Sequence, residues 1–269
     1  MQSKSNSLFD LSGKVAIVTG GGSGLGREFC DVLAEYGADV VCPDIYIDRA
    51  DETCKIIEKY GHRTLSIQSD LSQYDNVREM FKQVMDTFGR IDILVNNAGI
   101  SARPALIGEV DLEDWHNVIN IDLHGVFYCM REGLKIMTEQ KSGNIINIAS
   151  VLGIMITPPS VLSVPPYVAA KFAVVGLTKE AASEYGQYGI RVNCIAPGFH
   201  HGTRLGGRDV EQPIKGKPPE SSPGVIERTP LGRTASPEEL KGLLLYLASD
   251  SSGFMTGQII AHDGGLTVG

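Results

Sequence analysis

The sequence alternates short apolar, mostly β-branched runs with longer amphipathic stretches, and this alternation constrains the fold more than any other feature. The run 15–19 is almost entirely apolar, and the stretch 24–37 after it has helical spacing and stops at a glycine. Strands that are apolar on both faces and alternate with helices are typical of parallel sheets covered on both sides. We therefore predict an α/β fold with a single doubly wound parallel sheet and helices on both faces.

The same pattern places the remaining elements. Predicted strands cover 15–19, 40–42, 64–68, 91–95, 144–149, 191–195 and 258–261, and predicted helices cover 24–37, 48–60, 73–88, 111–138, 166–185 and 237–248. Two segments interrupt this rhythm. Prolines make 154–166 irregular, and the long polar segment 199–236 is typical of a lid, a binding loop or a disordered stretch. We expect one domain, 1–269, with 199–236 as its substrate loop.

Composition excludes several classes of protein. The net charge of -8 disfavours a nucleic-acid surface, and the absence of a run of 18 apolar residues predicts no membrane span. The polar first residues lack the apolar core of a signal peptide, and the five cysteines contain no CxxC pair. We expect reduced thiols and a cytoplasmic location. No HExxH spacing exists, and adjacent His200 and His201 point apart in extended chain, so no metal site is predicted.

A glycine-rich turn joins the first predicted strand to the first predicted helix. Gly20, Gly24 and Gly26 give the spacing TGxxxGxG across residues 19–26. Glycines let the backbone turn sharply and approach a pyrophosphate, and the helix N-terminus adds free N–H groups and positive potential. Such a turn alone could be a plain corner, but its position after an apolar strand favours dinucleotide binding.

Polar residues that follow the next strands suggest how the rest of a dinucleotide is held. Asp44, 18 residues after Gly26, can accept both adenosine ribose hydroxyls and would repel a 2′-phosphate. Ser23 and Ile45 stand where a basic residue could bind that phosphate, so NAD is favoured over NADP. Asp70 could contact adenine or simply cap a turn. In the segment 96–99 the amides can tie strands together, while Ala98 and Gly99 leave room for a ribose.

Three residues could carry proton transfer. Tyr167 and Lys171 lie one helical turn apart on the same helix face. A phenol, with an ordinary pKa of about 10, needs stabilisation of its anion to act near neutrality, and a neighbouring ammonium favours that anion. Ser150 ends the fifth strand at the same sheet edge, where its hydroxyl could orient a carbonyl or alcohol oxygen. Taken alone, a Tyr-x-x-x-Lys pair is common on helix surfaces.

Taken together, TGGGSGLG, NNAG, Ser150, YVAAK, Pro197-Gly198 and the ending TG…DGG resemble a short-chain dehydrogenase/reductase over about the whole chain. The resemblance implies a Rossmann-type fold, a small-molecule alcohol or ketone substrate, and homo-oligomers, tetramers or dimers, built through the long helices and the C-terminal segment. It implies that Tyr167 is the acid/base, that Lys171 binds the nicotinamide ribose and lowers the Tyr167 pKa, and that Ser150 polarises the substrate oxygen. The resemblance also implies which residues contact the cofactor. On the adenosine side, Gly20, Leu25 and Gly26 contact the phosphates, Asp44 the ribose, and Asp70 and Leu71 the adenine. On the nicotinamide side, Asn97 and Gly99 contact the inner ribose, and Pro197, Gly198 and Thr203 contact the nicotinamide amide.

The chain departs from the family pattern at a fourth catalytic position. Asp122 stands where the family has an asparagine, whose backbone carbonyl holds a water linked to the lysine; Asn120 lies about 200° away around the helix and cannot replace it. The Asp122 carboxylate near Lys171 would raise the Tyr167 pKa and favour a more alkaline optimum. The alternative is a neutral substitution in which only the backbone matters.

Two further departures concern spacing. The interval from Ser150 to Tyr167 is about four residues longer than usual in the family, and Thr203 stands one place later than in the common pattern, which puts its contact with the nicotinamide amide in doubt.

The substrate is less constrained than the reaction. The charged residues of 199–236 suit a sugar acid or polyol, whereas the apolar residues of 154–164 suit a cyclic or aliphatic alcohol. We predict an NAD(H)-dependent secondary-alcohol dehydrogenase. The alternatives are a 3-oxoacyl thioester reductase and, in a different class, a non-catalytic NAD-binding protein.

Overall fold

The computed structural model describes residues 8–203, 205 and 223–268. Its strands form one parallel sheet in the order β3-β2-β1-β4-β5-β6-β7, which confirms the predicted doubly wound sheet. The strands are β1 Val15–Val18, β2 Asp39–Asp44, β3 Thr64–Gln68, β4 Ile93–Asn96, β5 Gly143–Ile148, β6 Ile190–Pro197 and β7 Ile259–His262.

Helices cover both faces of this sheet. Side chains of α1, α2 and α8 pack against one face, and those of α3, α5 and α6 against the other. The helices are α1 Gly24–Glu35, α2 Ile47–Ile57, α3 Tyr74–Phe88, α4 Leu112–Val118, α5 Val126–Gln140, α6 Pro165–Tyr185, α7 Pro223–Arg228 and α8 Lys241–Ala248. Within the described ranges, no helix combines the length and the apolar character needed to cross a membrane.

The strand order creates a crevice at the middle of the sheet. β1 pairs with β2 on one side and with β4 on the other. The first strands, β1 to β3, are therefore added toward one edge of the sheet, and β4 to β7 are added toward the opposite edge. In open parallel sheets the carboxyl ends on either side of such a switch point form the ligand-binding crevice. The predicted site residues at the ends of β1, β2 and β4 therefore converge there.

Three predicted elements differ from the structure. The single helix predicted over 111–138 is divided, because a π-helix at Ile119–Gly125 separates α4 from α5. The helix predicted from 237 begins as a 3₁₀ turn, Pro237–Leu240, before α8. The substrate loop contains α7, which the glycine- and proline-rich composition concealed. Seven charged residues of the predicted substrate loop lie outside the described residues: Arg204, Arg208, Asp209, Glu211, Lys215, Lys217 and Glu220.

The two ends of the substrate loop are joined at its base. Ala235 N donates to Phe199 O and His201 N donates to Ala235 O, both at 3.0 Å, so that His200 and Ala235 form a parallel bridge. His201 Nδ1 also lies 3.1 Å from Thr234 Oγ1. The described ends of the loop are thus held directly beside the end of β6.

Candidate active site

The glycine-rich turn fits the close approach of a dinucleotide. A Cβ on Gly26 would lie 2.2 Å from Gly20 O, and one on Gly20 would lie 3.0 Å from Ala98 Cα. No larger residue fits at Gly26 without moving the turn. α1 begins at Gly24, so its unpaired N–H groups face the crevice beside this turn. Ser23 and Leu25 flank Gly24 in the same turn.

Asp44 ends β2 with its carboxylate fixed by the backbone. Its Oδ2 accepts from Gly22 N and its Oδ1 from Tyr46 N, each at 3.0 Å, and the side chain is buried. Each carboxylate oxygen has a further lone pair, so both can still accept a ribose hydroxyl. The structure therefore places a preoriented acceptor beside the glycine-rich turn.

The segment after β4 is tied to the glycine-rich turn. Asn97 Nδ2 donates to Thr19 O at 2.9 Å, and the backbone N–H groups of Asn97 and Ala98 donate to Thr19 Oγ1 at 3.0 and 3.1 Å. Asn96 Nδ2 donates to Asn147 Oδ1 at 2.8 Å and couples β4 to β5. These amides have the strand-tying role expected from the sequence, and the small residues that follow leave the crevice open.

Asp70 caps a turn, which is one of the two roles that the sequence allowed for it. Its Oδ1 accepts from Ser72 N at 3.0 Å and from Ser72 Oγ at 2.7 Å. Together with Ile45 it also lines a cavity of about 300 Å³ beside the ends of β2 and β3. Leu71 packs against Gly125, where a Cβ would lie 3.1 Å away. Asp70 therefore caps a turn and borders the side of the crevice where adenine is expected.

The end of β6 closes the crevice from the other side. Gly198 N donates to His262 O at 2.9 Å, and a Cβ on Gly198 would lie 2.7 Å from Asp263 Cα, so Pro197-Gly198 is held tightly against the end of β7. Thr203 lies across the crevice, with its Cα 3.5 Å from the Cβ position of Gly24. Although it stands one place later than in the family pattern, Thr203 reaches the glycine-rich turn.

The predicted acid/base pair lies on α6 inside the protein. Tyr167 and Lys171 are only 5% and 2% exposed. Lys171 Nζ lies 5.3 Å from the centre of the Tyr167 ring and donates to Ile148 O at 3.2 Å. Pro165 and Pro166 begin the helix, where the missing N–H groups leave no intrahelical bond unmade. The pair is therefore not a chance surface pattern.

Ser150 joins these two side chains at the carboxyl edge of the sheet. Its Oγ accepts from Leu152 N at 3.1 Å, and the Ser150 side chain acts to lower the pKa of the neighbouring Tyr167, against the effect of burial. The Ser150–Tyr167–Lys171 cluster thus lies where the sequence predicted, in a region shielded from water.

Asp122 contributes its carboxylate to this cluster as well as its backbone. The side chain is 0% exposed; Oδ2 lies 3.1 Å from Lys171 Nζ, and Oδ1 accepts from Ile100 N at 2.8 Å. A Cβ on Gly99 would lie 2.8 Å from Asp122 Oδ2, so glycine is required beside it. Asp122 lies within the π-helix, an irregularity that frequently occurs at functional sites.

These contacts determine the protonation of the site. Burial raises the pKa of Tyr167; Lys171 opposes that rise and Asp122 reinforces it. Burial lowers the pKa of Lys171, but the combined effects of Asp122 and Tyr167 outweigh burial, so that the pKa of Lys171 is raised. Burial raises the pKa of Asp122, against the effects of Lys171 and of the Ile100 N–H. Lys171 acts to lower the Tyr167 pKa, as expected, but burial and Asp122 together exceed its effect.

The substrate side of Tyr167 is apolar. Tyr167 belongs to a buried cluster with Val151, Leu152, Val164, Ala170 and Leu266, and Met155, Leu162 and Phe199 pack against it. The insertion that precedes α6 is held by Ser163 Oγ, which donates to Ala105 O at 2.8 Å. A Cβ on Gly224 of α7 would lie 3.6 Å from Val161, so the substrate loop rests on this insertion.

Sequence reasoning missed two groups near the crevice. Arg49, in the first turn of α2, lies beside Gly22 and Asp44, one helical turn after Ile45. His200 and His262 stack with ring centres 5.5 Å apart next to Gly198. The spacing of Arg49 from Asp44 could have suggested the first group; nothing in the sequence signals the second. Among the described residues, no cluster of three potential ligands forms a metal site.

Comparisons with known proteins agree with this geometry. The family model described as "Enoyl-(Acyl carrier protein) reductase" matches residues 20–267. The chain is 38% identical to a 3-oxoacyl-[acyl-carrier-protein] reductase of Thermotoga maritima, over 96% of this chain and 99% of that protein. It is also 38% identical to cis-4-hydroxycyclohexanecarboxylate dehydrogenase of Sinomonas cyclohexanicum, over 94% and 96% of the two chains.

A solved structure shows the same fold. Levodione reductase superimposes with a TM-score of 0.87 at 32% identity, covering 96% of this chain and 99% of that one. These relatives are oxidoreductases of a family that uses a nicotinamide cofactor. Because the family model and these relatives match nearly the whole length of the chain, the chain belongs to the short-chain dehydrogenase/reductase family.

Proposed function

We propose that the chain is an NAD(H)-dependent oxidoreductase that interconverts a secondary alcohol and its ketone. The observation that carries this proposal is the buried Ser150–Tyr167–Lys171 cluster at the carboxyl edge of the sheet, beside the glycine-rich turn. Proton-transfer groups that are buried and hydrogen bonded at a ligand-binding edge are characteristic of an active site.

Each side chain has a distinct task in this reaction. A bound nicotinamide supplies the hydride acceptor or donor. During oxidation the Tyr167 oxygen takes the alcohol proton, and during reduction it returns a proton to the carbonyl oxygen. Ser150 donates a hydrogen bond to the substrate oxygen, and Lys171 favours the Tyr167 phenolate by its charge. Asp122 keeps Lys171 ionised and in place.

The choice of NAD over NADP is supported by Asp44. Its carboxylate is buried and fixed by Gly22 N and Tyr46 N, so it cannot turn away from a ribose hydroxyl without losing both hydrogen bonds. A 2′-phosphate at the same place would meet a fixed negative charge.

The apolar surroundings of Tyr167 support a cyclic secondary alcohol over a sugar acid or polyol. Met155, Leu162 and Phe199 offer contact area to a ring rather than hydrogen bonds to hydroxyl groups. A 3-oxoacyl thioester reductase is the second candidate, favoured by the Thermotoga relative and opposed by Asp44. A non-catalytic NAD-binding protein is opposed by the intact proton-transfer cluster.

We also propose a cytoplasmic homo-oligomer, a dimer or tetramer. Five free, buried cysteines suit a reducing compartment. Phe127 on α5 and Phe172 on α6 are 44% and 41% exposed, and Phe254 near the C-terminal segment is fully exposed, so contact between subunits would cover apolar surface.

A single assay tests the function. Absorbance of NADH is followed with NAD⁺ or NADP⁺ and a panel of cyclic alcohols, polyols, sugar acids and 3-hydroxyacyl thioesters. We expect NAD⁺-dependent turnover of a cyclic alcohol and a loss of about 10²- to 10⁴-fold in Tyr167→Phe with NADH binding retained. Turnover only with NADP⁺ would overturn the assignment of Asp44, and NADH binding without any turnover would support the non-catalytic alternative.

A further inference from the structure

The described residues line a cavity of about 460 Å³ at the amino edge of the sheet. Its walls come from the beginnings of four strands. Lys14 precedes β1, Asp92 precedes β4, Asn144 is the second residue of β5, and Arg191 is the second residue of β6. Because all strands are parallel, the candidate active site lies at their opposite ends. The cavity is therefore separate from the crevice, and its volume is within the range of small-molecule sites, about 300–1,000 Å³.

Asn144 brings an unsatisfied acceptor to the wall of this cavity. Its Nδ2 donates to Leu247 O at 2.6 Å and to Ala248 O at 3.1 Å. Both partners are carbonyl oxygens, which only accept, so the amide cannot be turned round and its other atom is an oxygen. The residue is only 5% exposed, and its buried Oδ1 accepts from no described residue. Since a buried acceptor without a donor is destabilising, this oxygen favours a ligand with an N–H or O–H group.

Lys14 brings a cation to the same cavity. It forms no ion pair with any residue that the structure describes. Two carboxylates that also line the cavity have other partners, because Asp92 accepts from Arg90 and Asp10 accepts from Ser12. Lys14 can therefore bind an anionic group without breaking an existing ion pair.

Arg191, the other cation of the lining, has a structural role. It donates to Ser252 Oγ at 2.8 Å. It also donates to the carbonyl oxygens of Leu247 and Ser249, at 3.1 and 3.2 Å, and so holds the end of α8. Burial lowers the pKa of Arg191, and the negative charge of Asp250, a further lining residue, opposes that effect. Because Arg191 and Asp250 offset each other, Lys14 is the cation of the cavity that is available to an anion.

We propose that this cavity is a second ligand-binding site, for a small organic acid that carries a carboxylate, an apolar body and a hydrogen-bond donor. The carboxylate binds the Lys14 ammonium, and the donor binds Asn144 Oδ1. Leu11, Ile190 and Met255 line the same cavity and offer contact area to the apolar body. The inference goes beyond the proposed reaction, since none of these residues belongs to the crevice.

Calorimetry with the full chain and three related probes tests the site. 4-Aminobenzoate carries both polar groups, benzoate lacks the amino donor, and 4-aminobenzamide lacks the negative charge. We expect 4-aminobenzoate to bind at least about fivefold more tightly than either of the other two, since each of them loses one hydrogen-bonded contact. NADH should leave this affinity unchanged, because the cavity and the crevice lie at opposite edges of the sheet.

Two variants assign the two contacts. Lys14→Gln should weaken the binding of 4-aminobenzoate at least about fivefold and leave that of 4-aminobenzamide unchanged. Asn144→Ala should weaken the binding of 4-aminobenzoate and leave that of benzoate unchanged. Lys55→Gln, which changes an exposed lysine on α2, is the matched control and should bind all three probes like wild type. Circular dichroism checks the fold of each variant; if Asn144→Ala does not fold, Lys14→Gln and the three probes still decide.

Four results would overturn the proposal. Absence of 4-aminobenzoate binding would remove the site, and binding that survives Lys14→Gln would remove its cation. Displacement of the probe by NADH would place it in the crevice instead. Equal affinities for 4-aminobenzoate and benzoate would show that the Asn144 oxygen takes its donor from water. Failure of the proposed function is a separate outcome, seen as a lack of turnover with every alcohol of the panel.

Discussion

The carboxylate of Asp122 lies 3.1 Å from the ammonium of Lys171, and both side chains are almost completely buried. Family members with asparagine at this position bring no charge to the lysine from that side chain. In this chain the negative charge of Asp122 offsets part of the electrostatic effect by which Lys171 stabilises the Tyr167 phenolate. The balance of charge around the acid/base therefore differs from the family pattern.

The first prediction concerns the pH dependence of the reaction. Asp122 raises the pKa of Tyr167, so Asp122→Asn should lower it and move the rise of kcat/KM for alcohol oxidation to lower pH. The measurement is a pH–rate profile of both enzymes with the best alcohol of the panel. Asp86→Asn, on the exposed face of α3, is the control and should leave the profile unchanged. Superimposable profiles for wild type and Asp122→Asn would show that only the backbone at 122 matters.

The second prediction concerns stability. Asp122→Leu leaves the Lys171 ammonium buried without its carboxylate, and breaking such a pair costs about 3–5 kcal/mol. Lys171→Met leaves the opposite charge buried and should cost a similar amount. The double variant should lose less than the sum of the two, because no unpaired charge remains. Urea unfolding of the three variants measures this coupling.

An additive double variant would contradict that view of the ion pair. Lys82 and Asp86 form a pair on the exposed surface of α3 and provide the comparison. Breaking this exposed pair should cost about 1 kcal/mol or less.

The third prediction concerns the glycine-rich turn. A Cβ on Gly26 would overlap Gly20 O, so Gly26→Ala must displace the start of α1 from the turn. We expect NADH affinity to fall by at least about tenfold, since the α1 N–H groups no longer face the phosphates. Gly108→Ala is the matched control, because nothing lies within 4 Å of its Cβ position. Fluorescence titration with NADH gives both affinities, and equal affinities would remove the close-packing argument for Gly26.

The sequence predicted the fold well because its signals were local. Each strand is recognisable in the sequence by an apolar run. The site residues at the ends of β1, β2 and β5 could then be predicted from the rule that ligands bind at the carboxyl edge of a parallel sheet. The contacts that distinguish this chain are non-local. The family resemblance placed Asp122 near Lys171, but nothing in the spacing predicts that Asp122 also accepts from Ile100 N from within a π-helix. Arg49 is close to Asp44 in the sequence, but spacing alone does not predict that it lies beside Gly22 of the glycine-rich turn.

Another non-local contact is the pair of imidazoles at the base of the substrate loop, which leads to the last prediction. His200 Nδ1 lies 3.1 Å from Gly198 O, so the neutral ring donates there, and its buried Nε2 has no partner among the residues that the structure describes. Burial lowers the pKa of His200, and the neighbouring His262 and His201 add to this lowering, whereas Gly198 O and Glu239 oppose it. Protonation would place a charge against His262, and no described residue offers an acceptor to Nε2.

A histidine whose pKa is lowered on folding binds its proton more tightly once the loop base opens or the chain unfolds. Stability is therefore fully present above the ordinary histidine pKa of about 6.5 and declines as pH falls from there toward the lowered pKa of His200. His200→Asn keeps a donor for Gly198 O and removes the titration. We expect wild type to lose stability relative to His200→Asn between about pH 7 and pH 5 in urea unfolding. A parallel decline in both proteins would assign the acid sensitivity to other groups, because only His200 differs between them.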